Sequence, residues 1–184
     1  MTGGKMKLSK GANAQLGGMD ITTGLLVGLR WDSTDVEVNA SAFVVGFDGQ
    51  AISEKHFVYF NNPSSPEHSV WLLEPERSPV TDRAQIAISL ADLPSRASKV
   101  IVTVATLDGD STLASLTGLS ARVLSLQSGD ELISVASDTF GVESLVQVLE
   151  IYHHPSSGWK VRAVLQGYSS GLAGIATDLG IDVA

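Results

Sequence analysis

Asp32, Asp35, Glu37 and Asn39 bring four oxygen-bearing side chains close together early in the chain. Glu37 and Asn39 are two residues apart, so on a β-strand they point to one face. Such a set could hold a hard cation, because Ca²⁺ takes carboxylate and carbonyl oxygens at roughly 2.3–2.6 Å. It could equally be the solvated start of an ordinary strand. A second acidic stretch, LLEPERSPVTDRAQI, carries Glu74, Glu76 and Asp82 beside Arg77 and Arg83. Loop acids with arginine neighbours are most often simply solvated.

Other chemistries find less support. Gly167, Ser169 and Gly171 in GYSSG fit the G-x-S-x-G pattern of a serine hydrolase. That pattern needs a strand, a sharp turn and a helix in an α/β sheet, and the flanks here are a strand and a short tail helix. His153 and His154 are adjacent, so on a strand they face opposite ways and cannot readily chelate one ion. His56 and His68 lie in or near loops with no ligand spacing. GGKMKLSKG lacks the phosphate-loop pattern, and neither EF-hand nor H-E-x-x-H spacing occurs. The chain has no cysteine, which excludes disulfides, zinc thiolates and a cysteine nucleophile. No enzyme is expected from these residues.

The 184 residues and 43% hydrophobic content suit one domain over residues 1–184. The net charge of −8 opposes nucleic-acid binding, since the one basic cluster is Lys5, Lys7 and Lys10. No apolar run has the length of a membrane span, so direct insertion is not expected. The basic N-terminus lacks the apolar centre of a signal peptide. A cytoplasmic location is the expectation, with residues 1–7 as a mobile tail.

The elements that must position these residues read as short strands between turns. GLLVGLRW, VEVNASAFVV, HFVYF, SVWLLE, QIAISLADL and KVIVTVATL come first. LSARVLSLQ and ELISVAS then flank Ser128-Gly129-Asp130, and LVQVLEIYHH and WKVRAVLQGY flank Pro155–Gly158. Turns every 10 to 15 residues or so predict an all-β sandwich of two mostly antiparallel sheets. Leu172, Ile175, Ala176 and Leu179 have helical spacing and predict a short C-terminal helix stopped by Gly180.

The segments LSKGANAQL, VGLRWD, NASAFVV, FVYFNNPSSPEHSV, QIAISLADLP and WKVRAVLQGYSSGLAGIATDLGIDV occur in this order. In that order they resemble the TerD family of tellurite-resistance and bacterial stress-response proteins, from about Leu8 to Val183. The resemblance implies a β-sandwich that binds calcium through acidic loops at one end. It implies no enzymatic activity, and protein partners within membrane-associated Ter-type stress-response complexes.

The chain departs from the family where the calcium chemistry is expected. The family's D-L-D-A-S is here Glu37-Val38-Asn39-Ala40-Ser41. Of its later Asp-Asp-Glu run only Asp82 remains, with Glu74 as a stand-in for an earlier Asp and Arg83 where a second carboxylate is expected. The resemblance therefore assigns the calcium positions to Asp32, Glu37, Asn39, Glu74 and Asp82. Calcium affinity follows ligand charge, so the changes predict a weakened or lost site on an interaction module. Arg77 and Arg83 would then replace ion bridging by direct salt bridges. A functioning calcium sensor is the alternative. A hydrolase built on Ser169 or the His153–His154 pair is a third reading.

Overall fold

The computed structural model of the chain describes residues 5–16, 21–73, 82–108, 110–137 and 140–182. Strands β1 (Met6–Leu8), β2 (Asn13–Gln15), β3 (Leu25–Arg30), β4 (Val38–Gly46), β5 (Phe57–Val58) and β6 (Val70–Leu73) come first. They are followed by β7 (Ala84–Ile88), β8 (Ala97–Thr106), β9 (Ser120–Ser125), β10 (Glu131–Ala136), β11 (Leu145–His154) and β12 (Gly158–Tyr168). Helix α1 (Gly171–Asp178) comes last. One sheet has the order β1-β10-β9-β3-β7-β6 and the other β2-β12-β11-β8-β4-β5. Among the described residues every pairing of these strands is antiparallel except that of β1 with β10. The expected sandwich with a short C-terminal helix is the fold observed.

The core lies between the sheets. Leu25, Val27 and Leu29 of β3 face Ala40, Ala42 and Val44 of β4 and Val100, Val102 and Val104 of β8 across one continuous cluster. On the opposite face Phe43 and Val45 of β4 and Ile101 and Ala105 of β8 form a second cluster with Ile175 and Ala176 of α1 and with Leu179 just beyond it. These two strands are thus covered on both faces, which is why their sequences run apolar instead of alternating. Burial of Ile175, 4% exposed, contributes about 2 kcal/mol to docking the helix. Gly180, at φ +81°, turns the chain out of the helix as predicted.

The N-terminus differs from expectation. Met6 and Lys7 do not belong to a mobile tail: Met6–Leu8 pairs with Ile133–Val135 of β10. The chain then turns at Gly11 and sends β2 onto β12 in the other sheet. HFVYF yields only the two residues of β5, and SLTGLS is a loop whose Leu116 and Leu119 reach the interior.

Candidate functional site

The C-terminal ends of β3 and β8 and the N-terminal ends of β4, β7 and β9 share one end of the sandwich, as their antiparallel registers require. Segments 31–37 and 106–119 are tied together there. The Asp32 amide donates to the Thr117 carbonyl at 2.8 Å, and the Leu107 amide to the Glu37 carbonyl at 3.0 Å. The Asp35 amide donates to Ser115 Oγ at 2.9 Å. Thr106 Oγ1 lies 2.9 Å from the Asp108 carbonyl and 3.2 Å from that of Ser111.

Asp82 enters from the same end but lies flat on the outward face of the first sheet. Its side chain is fully buried. Arg30 Nε donates to Oδ1 at 3.0 Å, Arg122 donates through Nε to Oδ1 at 3.0 Å and through Nη2 to Oδ2 at 2.9 Å, and Gln85 Nε2 donates to Oδ2 at 2.9 Å. The notch that admits it is Gly28, opposite Arg122 on one side and Gln85 on the other. A Cβ at position 28 would coincide with the Asp82 carboxylate. Burial pushes the Asp82 carboxyl up, but the bonds from Arg122, Gln85 and Arg30 outweigh it and hold it below the usual carboxylate range.

The next residue, Arg83, turns its guanidinium back onto backbone. Nε donates to the Trp31 carbonyl at 3.1 Å and Nη2 to the Asp32 carbonyl at 3.0 Å. A resident cation thus takes carbonyl oxygens of a kind that a bound metal would use.

The residues assigned to calcium do not converge. Asn39 pairs with Ala105 and lies on the outward face of the second sheet, alternating with the core-facing Ala40. Asp82 is on the outward face of the first sheet, with the whole sandwich core between them, and packed sheets stand about 10 Å apart. The side-chain amide nitrogen of Asn39 is buried without a hydrogen-bond partner. Asp32 packs against Gly118, and Glu37 is exposed. Glu74 lies outside the described residues, as do Glu76 and Arg77. Among the described residues no three acidic or histidine side chains are grouped to hold a metal ion. Asp32, Glu37, Asn39 and Asp82 therefore do not fit one calcium site, chiefly because two guanidinium groups already satisfy Asp82.

The hydrolase residues are also apart. Ser169 follows the C-terminal end of the eleven-residue β12, whereas His153 and His154 pair with its N-terminal end. A strand of that length spans about 35 Å. His154 Nδ1 instead holds the Ser156 amide at 3.2 Å in the hairpin turn.

Sequence reasoning passed over one polar cluster. His56 is buried, with Nδ1 2.7 Å from Ser53 Oγ and Nε2 2.9 Å from Glu67 Oε2. Ser69 Oγ donates to the other Glu67 oxygen at 2.6 Å. The short spacing of Ser53 and His56 was the available signal, but the partner Glu67 comes from a separate loop.

The family model for the TerD domain matches residues 5–179. The tellurium resistance protein TerD of Serratia marcescens is 30% identical over 191 aligned positions, covering 97% of this chain and 99% of that protein. General stress protein 16U of Bacillus subtilis is 25% identical over 86% of this chain and 88% of its own. The chemical-damaging agent resistance protein B of Clostridium acetobutylicum is 26% identical over 69% of this chain and 95% of its own. A crystal structure of a TerD homologue from Streptomyces coelicolor superposes with a TM-score of 0.65 at 21% identity, over 86% of this chain and 98% of that one. Family match, near-complete coverage and shared fold agree: the chain belongs to the TerD family.

Proposed function

We propose that this protein is a stress-response interaction module whose loop end is braced by its own arginines in place of calcium. Relatives named for tellurium resistance and for resistance to chemical damage support the stress role. The observation that carries the bracing is the pair Asp82–Arg83. Asp82 is neutralised by Arg30 and Arg122, and Arg83 bonds the carbonyls of Trp31 and Asp32. A guanidinium fixed by the chain needs no ion concentration to stay in place, so the loop end is permanently formed. The module would then offer this end to protein partners of a Ter-type complex without awaiting a calcium signal. The work would be done in the cytoplasm. No helix among the described residues is long and apolar enough to cross a membrane, so any membrane association would come through those partners.

The test is thermal unfolding in EDTA and in about 1 mM and 10 mM CaCl₂, with MgCl₂ at matched ionic strength. A ligand at a hundredfold excess over its Kd stabilises the native state by about 2.7 kcal/mol. For a domain of this size that raises the midpoint by about 5–10 °C. The expected wild-type shift is under 1 °C, with a calcium-specific rise appearing only in Arg83→Asp. A calcium-specific rise of several degrees in the wild type would overturn the bracing and favour the sensor.

A further inference from the structure

We propose that Ser53, His56 and Glu67 form a hydrolytic centre for small carboxylic esters. It lies beyond the end of β4 opposite Glu37 and does not depend on the loop-end reading. Ser53 caps a short 3₁₀ turn, Glu54–His56, yet its hydroxyl makes no capping bond to the turn's backbone. A serine at that position ordinarily caps a backbone amide. Here Oγ is committed to His56 Nδ1 at 2.7 Å.

The bonding pattern sets the protons. Burial raises the Glu67 carboxyl, but bonds from Ser69, its own amide and His56 outweigh this and keep it ionised. With the imidazole neutral, the ionised carboxylate, which only accepts, draws the ring proton to Nε2. Nδ1 is left with its lone pair facing the Ser53 hydroxyl. This is the nucleophile–base–orienter relation of a serine hydrolase with the two ring nitrogens exchanged. The base is shielded and the nucleophile exposed. Ala51 and Ile52, the two residues before Ser53, line a neighbouring cleft of about 240 Å³ with Phe47 and Arg96.

Ser53 Oγ adds to the ester carbonyl carbon as its proton passes to His56 Nδ1 and the π pair moves to oxygen. Collapse expels the alcohol oxygen, which takes the proton from Nδ1 and leaves an acyl-serine. Water then attacks the acyl carbon, giving one proton to Nδ1. The Ser53 oxygen departs with that proton and the carboxylic acid is released.

The experiment is labelling of the full chain with a fluorophosphonate, with site assignment by peptide mass and p-nitrophenyl acetate as substrate. Ser53 should label at least about a hundredfold faster than the exposed Ser128 and Ser156, the lower range of general-base catalysis. Ser53→Ala should abolish the label and the ester turnover. Glu67→Gln offers an amide that can donate to Nε2, which puts the ring proton on Nδ1. It should slow labelling by about a hundredfold for want of the correct tautomer, with the fold checked by circular dichroism. A Ser53 label no faster than at the other serines would overturn the proposal and leave the cluster a structural tie. So would a rate unchanged in folded Glu67→Gln.

Discussion

Gly28 and Asp82 should be energetically inseparable. Asp82→Ala removes four hydrogen bonds from a carboxylate with no exposed side-chain surface. Breaking a fully buried ion pair costs about 3–5 kcal/mol. Here Arg30 and Arg122 keep 41% and 24% of their side-chain surface exposed and can rehydrate, which lowers the expected cost to about 2–3 kcal/mol. Gly28→Ala should cost a similar amount for a different reason: its Cβ would occupy the volume of the Asp82 carboxylate and force it off both guanidinium groups. In the Asp82→Ala background that obstruction is gone. There the glycine-to-alanine change should be neutral or stabilising by about 0.5–1 kcal/mol, through reduced chain freedom in the unfolded state. Equilibrium urea unfolding of the four proteins should therefore give a coupling energy of about 2–4 kcal/mol. Costs that add to within about 0.5 kcal/mol would refute the argument that the glycine exists to admit the carboxylate.

The acid side of the stability profile should carry the same signature. Because the folded-state pKa of Asp82 is depressed, its contribution is complete above the unfolded value of about 3.9. It is lost as pH falls through the folded value, so unfolding free energies between about pH 5 and 2 should fall more steeply in the wild type than in Asp82→Asn. At the same end of the sandwich, Gly118→Ala should cost about 1–3 kcal/mol in urea unfolding. Gly118 sits at φ +68° and a Cβ there would meet the Asp32 carboxylate; Asp32→Ala should relieve the contact but not the backbone strain.

Where the fold was legible, local chemistry agreed with it. Leu172, Ile175, Ala176 and Leu179 keep helical spacing because one side of α1 is buried, and Gly129 and Gly158 adopt the positive φ that their turns demand. β1 and β2 were not legible. Each is three residues long and carries polar side chains, and each pairs with a strand from the far end of the sequence. The loop acids could be read as acids but not as ligands. Whether Asp82 faces an ion or an arginine depends on Arg30 and Arg122, brought beside it by the pairing of β3 with β9. The glycine within GLLVGLRW was the local sign of a close approach. Ser53 and His56 lie three residues apart, yet the orienting Glu67 enters from another loop.

The way β1 and β2 bridge the two sheets sets an order on biogenesis. Position 6 finds its partner at position 133, and position 13 at position 162. At synthesis rates of about 5–20 residues per second, the opening segment waits on the order of ten seconds before its docking strands leave the ribosome. Closure of this seam is therefore a late event, made after the rest of each sheet can assemble. Until then β10 and β12 are terminal strands with unsatisfied backbone groups, open to pairing with another nascent chain. Residues 5–16 thus cover part of the last strands made, adding a short edge to each sheet with one stretch of chain.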